Sequence, residues 1–201
     1  QRQMCIRDRL STDGVVDGGL VERNPRIKAD GRTFSYVLHA SNDPEVSDVL
    51  VTQNDVRQIQ LAKAALYAGI KLLMDEMGVT TVDKIRLAGA FGSHISVSHA
   101  MVLGLIPDCD LGQVTSAGNS AGAGARMALL DRNARLEIAA TIAKAERIET
   151  AVADDFQAHF VGAMGLPHQS DPFPNLFSVV APPEAKAVSY THLRAHETAD
   201  N

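Results

Sequence analysis

The chain has 201 residues, of which 45% are apolar and 21% charged, a composition typical of a soluble globular domain. A formal net charge of −5 and the absence of Trp argue against nucleic acid or an anionic membrane surface as the main partner. No apolar run is long enough to cross a membrane. The two cysteines, Cys5 and Cys109, are too few and too far apart to hold an iron–sulfur cluster or a disulfide framework, which favours a reducing cytoplasm.

The two ends of the chain differ from its middle. Residues 1–9 (QRQMCIRDR) and 188–201 (VSYTHLRAHETADN) each resemble peptides that arise when sequencing-adapter DNA is translated. We therefore expect both segments to be artefacts at the ends of a truncated metagenomic gene, and a fold is predicted for residues 10–187 alone.

The first part of that segment predicts loops and then two strands. Residues 10–31 are rich in Gly, Asp and Asn and predict loops with one short element near residues 19–22. Residues 33–40 (TFSYVLHA) are β-branched and aromatic and predict a strand, and residues 48–51 predict a shorter one.

The strongest helical pattern covers residues 52–77. Thr52 is a candidate N-cap, Asp55 follows three residues later, and Gly78 is a candidate C-terminal stop. Apolar residues recur at helical spacing at Val56, Ile59, Ala62, Leu66, Ile70, Leu73 and Met77. Because residues 82–88 predict another strand, the order strand–helix–strand predicts a βαβ unit.

Two glycine clusters follow this helix. In residues 84–92 (KIRLAGAFG) a short apolar run breaks at Gly89 and Gly92. After a predicted strand at 113–116, residues 118–125 (GNSAGAGA) lead into a helical pattern over 120–130. Such clusters let a backbone approach a nucleotide, and a helix start leaves N–H groups free. The alternative is two tight turns in a packed α/β domain.

The remaining elements are less distinctive. Residues 97–103, 134–149 and 154–164 predict helices, residues 165–174 predict irregular structure with three prolines, and residues 175–180 predict a last strand. His94 and His99 lack a carboxylate or Cys partner, so a surface position is predicted rather than a metal site. Cys109 is predicted to be an inert thiol, because no cation or helix start is placed to lower its pKa.

Four strings, taken in order, carry a family resemblance: VTQNDVRQIQLAKAALYAGIKLL (51–73), IRLAGAFGSHI (85–95), GLIP (104–107) and GNSAGAGARMALL (118–130). They resemble the C-terminal domain of the reductive activators of corrinoid proteins. This family belongs to the actin-like ATPase (ASKHA) superfamily, with acetate and sugar kinases, hexokinase and actin. The resemblance implies an α/β fold. Residues 10–187 would be the second half of an actin-like, ribonuclease H-like ATP-binding domain, with helices packed on a mixed sheet.

The resemblance also implies a function for the full-length relatives. They use ATP with Mg²⁺ to drive one-electron reduction of a Co(II) corrinoid to the Co(I) state needed for methyl transfer. The implied partner is the corrinoid protein of a methyltransferase system, and a homodimer is left open. The iron–sulfur cluster and the phosphate loops that position Mg²⁺ belong to parts of the family outside these residues. We therefore expect no catalytic residue or metal ligand here, and no activity from this segment alone.

The resemblance places nucleotide-binding residues at two glycine turns. The first matches the superfamily's adenosine motif, a strand followed by a glycine turn whose backbone lies against the nucleoside. The second matches the last glycine-rich helix start, whose free N–H groups face a phosphate or ribose. The residues so implied are Gly89, Ala90, Phe91, Gly92, Gly118, Asn119 and Gly122.

Polar residues of the long predicted helix are further candidates. In actin-like folds a helix at this place presents polar side chains to the adenine edge and the ribose. Gln58, Gln60 and Lys63 are the candidates here, and Gln60 and Lys63 are three residues apart and share a face. The alternative is that these side chains form a solvated helix face.

Three other functions stay open. A sugar or acyl kinase of the same superfamily would need a substrate-side Asp as base, and no residue in this segment marks one. A Rossmann dinucleotide site would need a glycine spacing that GNSAGAG lacks. A non-catalytic docking domain would use the acidic surface and the C-terminal helices as its interface.

Overall fold

The computed structural model describes residues 10–150 and 152–181, so the predicted artefact segments 1–9 and 188–201 lie outside the described residues. The strands are β1 (Ile27–Asp30), β2 (Thr33–His39), β3 (Val49–Val51), β4 (Ile85–Ala88) and β5 (Val114–Gly118). The helices are α1 (Gln53–Glu76), α2 (Ala90–His94), α3 (Val97–Val102), α4 (Ser120–Leu130), α5 (Arg132–Ile142), α6 (Phe156–Gly162) and α7 (Pro174–Val179). The domain combines an antiparallel sheet and a parallel pair of strands with packed helices, which confirms the predicted α/β class.

The strands pair in two sheets. β1, β2 and β3 form an antiparallel sheet in which Tyr36 lies opposite both Ile27 and Val51. β4 and β5 form a parallel pair in which Leu87 lies opposite Ser116. The predicted βαβ unit around α1 is therefore wrong, because α1 connects strands of different sheets. The parallel unit is instead β4–α2–α3–β5, with two short helices in the crossover.

Helix α1 begins as predicted. The Asp55 backbone N–H donates to the Thr52 hydroxyl (3.2 Å), and the Thr52 backbone N–H donates to the Asp55 carboxylate (2.8 Å). This reciprocal pair is a capping box, which satisfies backbone N–H groups that a helix start leaves without partners. It explains why a local sequence signal located this helix correctly.

The buried side of α1 is not the side that the apolar spacing indicates. Ile59, Leu66, Leu73 and Met77 are 47–74% exposed. The buried positions of the helix are Val56, Gln60, Lys63, Ala64, Tyr67, Ala68, Leu72 and Met74. α1 therefore packs with a mixed apolar and polar side against α6 and the loop that follows it.

The main core combines residues that are distant in the chain. It includes Tyr67 from α1, Met101 from α3, Val114 from β5 and Leu176 from α7. A smaller core around Val16, Ile27 and Tyr36 lies at the antiparallel sheet. Because the larger core lies beside β4 and β5, it gives that parallel pair a rigid support.

The C-terminal part departs from the prediction in two places. Residues 175–180, predicted as a strand, form helix α7, which begins with Pro174, a residue suited to a first helical turn. Its N–H groups at Asn175 and Leu176 donate to the Asp108 carboxylate (3.0 Å each). The helix predicted over 134–149 begins at Arg132 and ends at Ile142.

Three further elements were not predicted: strand β1, within the predicted loops of residues 10–31, helix α2, directly after the first glycine turn, and a 3-10 helix at Leu111–Gln113. In the part of the chain that the structure describes, no helix is long and apolar enough to span a bilayer.

Candidate functional site

The two predicted glycine turns meet at one edge of the parallel sheet. β4 and β5 run parallel, with Ala88 opposite Gly118, so the segments after both strands leave the sheet at the same edge. The Gly89 backbone N–H donates to the Gly118 carbonyl oxygen (2.8 Å) and joins the segments directly. We call residues 89–93 and 116–122 the paired glycine turns.

Gly89 has a backbone conformation that essentially only glycine adopts. Its φ is 95° and its ψ is 176°, and Gly118 also has a positive φ of 62°. A Cβ placed on either glycine would have no other atom within 4 Å. The surface above both residues is therefore open, and a flat ligand can approach the backbone there.

Gly92 and Gly122 are required for a different reason, which is close packing. A Cβ on Gly92 would lie 2.8 Å from the Cβ of Leu87, so the missing side chain lets α2 pack on β4. A Cβ on Gly122 would lie 2.6 Å from the Asn119 side-chain amide nitrogen. Asn119 caps α4 by accepting a hydrogen bond from the Gly122 N–H (2.9 Å).

The exposed residues of the first turn offer apolar surface. Ala90 is exposed, and Phe91 is 70% exposed although it is a large aromatic side chain. Helix α4 starts from the second turn and has 11 residues, so its N-terminus carries a partial positive charge. The paired turns thus combine open backbone, an aromatic ring and a helix start.

Two serines that the sequence analysis did not select also belong to this site. The Ser93 hydroxyl donates to the Gly89 carbonyl oxygen (3.0 Å), and the Gly118 N–H donates to the Ser116 hydroxyl oxygen (3.2 Å). The two hydroxyl oxygens are 3.5 Å apart, and both residues are exposed. Only the pairing of β4 with β5 brings them together, because they are separated by 23 positions in the sequence.

Gln60 and Lys63 are hydrogen-bonded elsewhere. The Gln60 amide donates to the carbonyl oxygens of Asp13 and Met164 (2.9 Å each). The Lys63 ammonium donates to the carbonyl oxygens of Pro167 (2.7 Å) and Gly165. The predicted alternative, a solvated face, is wrong for both, since Gln60 is 3% and Lys63 0% exposed. The hydrogen bonds of both side chains fix these loops, and a nucleotide-binding role for Gln60 and Lys63 stays a prediction.

Burial changes the acidity of Lys63. It lowers the pKa of the ammonium from 10.5 to about 8, because the charged form loses its hydration. Its two hydrogen-bond acceptors are neutral carbonyl groups. The side chain therefore holds the loop after α6 to helix α1.

A second polar cluster holds the same loop. The Tyr67 hydroxyl donates to the Asp171 carboxylate (2.8 Å), and the Lys71 ammonium lies 3.4 Å from the same oxygen. His168 Nδ1 accepts the backbone N–H groups of Ser170 (3.1 Å) and Asp171 (2.8 Å). These contacts fix the His168 ring as the tautomer with its proton on Nε2.

The remaining candidates lie where expected. His94 and His99 are exposed. Cys109 is buried, and burial together with the neighbouring Asp110 raises the pKa of its thiol, which suits an inert residue. Within residues 10–150 and 152–181 no group of three or more His, Cys, Asp or Glu side chains is arranged to hold a metal ion.

Comparison with known proteins points to one family. The family model described as the C-terminal domain of RACo, the ASKHA domain, matches residues 3–177. The corrinoid activation enzyme RamQ of Eubacterium limosum is 39% identical over 108 residues, which are 53% of this chain and 18% of that protein. A solved structure of a reductive activator for corrinoid, iron–sulfur protein matches with a TM-score of 0.70 and 29% identity, over 80% of this chain and 26% of that one.

These relatives are much longer than the segment that matches them. The chain spans 18% of RamQ and 26% of the solved activator. The family model names the domain type, and the solved structure, with its TM-score of 0.70, supports the fold. Because the family model covers well over half of its residues, the chain belongs to the family of the C-terminal ASKHA domain of RACo.

Proposed function

We propose that this chain is the nucleotide-binding half-domain of an ATP-dependent reductive activator, which returns a Co(II) corrinoid protein to Co(I) for methyl transfer. The observation that carries the proposal is the meeting of two glycine turns at the carboxyl edge of β4 and β5. The names of RamQ and of the solved activator support corrinoid activation. The whole activity belongs to a longer protein that works with a corrinoid partner in the cytoplasm and carries an iron–sulfur cluster in another domain.

The residues of the paired glycine turns fit a nucleotide. The backbone at Gly89 and Gly118 is open to approach, and Phe91 offers a ring on which a base can stack. The start of α4 attracts a phosphate by about 0.3–1 kcal/mol. This contribution is small, so we expect the chain to bind ATP weakly on its own.

The role of this chain in the reaction is to bind and orient. ATP supplies the free energy of its hydrolysis to the uphill reduction. The residues of the paired glycine turns are Gly, Ala, Ser, Asn and Phe, which position a nucleoside without taking part in proton transfer. Mg²⁺ and the attacking water would be held by the other half of the ATPase domain.

Of the alternatives, corrinoid activation is favoured over sugar or acyl phosphorylation. Both named relatives are activators of corrinoid systems. A homodimer and a purely docking role stay predictions, because no contact of the described residues tests either of them.

The proposal is tested by titrating the 201-residue chain with ATP while its amide resonances are followed by NMR. We expect the resonances of residues 89–93 and 116–122 to shift at millimolar ATP. Ala90→Glu places a carboxylate at the exposed first turn and should weaken ATP binding about fivefold or more by charge repulsion. Ala158→Glu, the same change at an exposed position of α6, is the matched control. If the largest shifts occur elsewhere, or Ala90→Glu binds like the control, the assigned site is wrong.

Corrinoid activation itself is tested in a chimaera. The segment of this chain that matches the solved activator, 80% of its residues, replaces its counterpart in that protein, and formation of Co(I) is followed by the corrinoid absorption spectrum. We expect ATP-dependent reduction that the Ala90→Glu chimaera loses. A chimaera that shows native circular dichroism and binds ATP, but does not support reduction, would contradict the proposed function.

A further inference from the structure

The Ser93 and Ser116 hydroxyls are joined by a long hydrogen bond, in which Ser116 donates to Ser93 (3.5 Å). Ser93 donates its proton to the Gly89 carbonyl (3.0 Å), so its oxygen keeps acceptor capacity. Ser116 accepts the Gly118 N–H (3.2 Å), and its own O–H donates only the long bond to Ser93, so a closer acceptor on a ligand can take this donor. The 3.5 Å between the two oxygens is too long for a strong O–H···O bond between them.

This geometry fits a single hydroxyl group of a ligand. An oxygen can lie about 2.8 Å from both serine oxygens at once, the usual length of an O–H···O bond. A hydroxyl is both donor and acceptor, so it can accept from Ser116 and donate to Ser93. A phosphate oxygen can only accept, and the pair carries no positive charge that would favour an anion.

We propose that Ser93 and Ser116 form the subsite for a ribose hydroxyl of the nucleotide and let this domain distinguish ribonucleotides from deoxyribonucleotides. The inference rests on the proposed ATP binding, and it adds a specificity that the glycine backbone cannot provide. Ser93 and Ser116 are hydrogen-bonded to Gly89 and Gly118, so a nucleoside lying on these two glycines places its sugar within reach of both hydroxyls. Both serines are exposed and accessible to a ligand.

The experiment titrates the 201-residue chain with ATP, 2′-deoxy-ATP and 3′-deoxy-ATP, with amide shifts as the readout. We expect one of the two deoxynucleotides to bind about five- to tenfold more weakly than ATP, because it lacks the hydroxyl that makes one hydrogen bond to the serine pair. Which of them is weakened identifies the hydroxyl. Ser93→Ala and Ser116→Ala should each bind ATP as weakly as the parent binds that analogue and should no longer discriminate. Ser93→Thr and Ser116→Thr keep the hydroxyl and should retain discrimination.

Ser178→Ala removes an exposed hydroxyl that donates to the Asn175 carbonyl in α7, and serves as the control variant. An unchanged amide spectrum outside the paired turns verifies that each variant is folded. Equal binding of all three nucleotides by the parent chain overturns the subsite and leaves the proposed ATP site intact. Discrimination that persists in both alanine variants also overturns it. Failure of the parent to bind any nucleotide overturns the proposed function, and the subsite with it.

Discussion

The Lys63 ammonium, in the middle of helix α1, donates to the Pro167 carbonyl oxygen 2.7 Å away and 104 residues later in the chain. Gly165 O accepts from the same ammonium, and Gln60 donates to the Met164 carbonyl one turn earlier in the helix. The carbonyl groups after α6 thus obtain their hydrogen bonds from side chains rather than from a strand. Helix α1 is the anchor for the C-terminal part of the domain.

Lys63→Met should destabilise the chain by about 2–4 kcal/mol. Methionine fills a similar volume but leaves the Gly165 and Pro167 carbonyls buried without donors. Urea unfolding at pH 7 measures the loss, and Lys144→Met at an exposed position is the control. Equal stability of the two variants would show that the Lys63 hydrogen bonds contribute little.

The stability of the parent chain should rise with pH in the alkaline range. The folded-state pKa of Lys63 is lowered to about 8 from 10.5, so between these values the unfolded chain binds more protons than the folded one. The free energy of unfolding should therefore increase between about pH 8 and pH 10.5, by on the order of 3 kcal/mol. The check is the difference between parent and Lys63→Met across this range. A difference that does not change with pH would contradict the prediction.

Acid should destabilise the loop around His168. Its Nδ1 accepts two backbone N–H groups, and a proton there would face both donors. Burial lowers the pKa of His168 below 6.5, so the unfolded chain takes up the proton first. The stabilisation is present above pH 6.5 and is lost as the pH falls through the folded-state pKa. Unfolding of His168→Gln should lose this pH dependence, whereas the exposed-site control His99→Gln should keep it.

Two glycine-to-alanine substitutions should have opposite effects. Gly104 has a φ of 69°, and a methyl group there would overlap the Pro167 carbonyl oxygen, so Gly104→Ala should destabilise by about 2–4 kcal/mol. Gly69 lies inside α1 with no atom within 4 Å of the added Cβ, so Gly69→Ala should stabilise by about 0.5–1 kcal/mol. Thermal unfolding of both variants beside the parent tests the pair. Shifts of the same sign would refute the backbone argument.

Removal of the two predicted artefact segments should leave stability unchanged. We predict that residues 1–9 and 188–201 derive from adapter DNA, and residues of that origin would not have been selected to pack on a core. A chain of residues 10–187 should therefore melt at the same temperature as the full chain within experimental error. A loss of several degrees would show that the ends are part of the folded structure.

Local signals in the sequence were sufficient to predict α1, its cap at Thr52 and Asp55, the strands β2 and β4, and both glycine turns. Caps, turns and helical spacing depend on neighbours a few residues apart, so they can be recognised without the fold. The ordered strings between residues 51 and 130 also identified the family.

Tertiary structure alone decided which side of α1 is buried and which residues join the site. Gln60 and Lys63 can be buried only because backbone carbonyl groups of residues 164–167, about 100 positions later in the chain, accept their hydrogen bonds. Helix α7 forms where a strand was predicted, and its first N–H groups are held by Asp108, 67 residues before Asn175. The Ser93–Ser116 pair likewise exists only through the parallel pairing of β4 and β5. For α1 and α7 a polar group is satisfied by a partner distant in sequence, and that partner is defined only once the chain has folded.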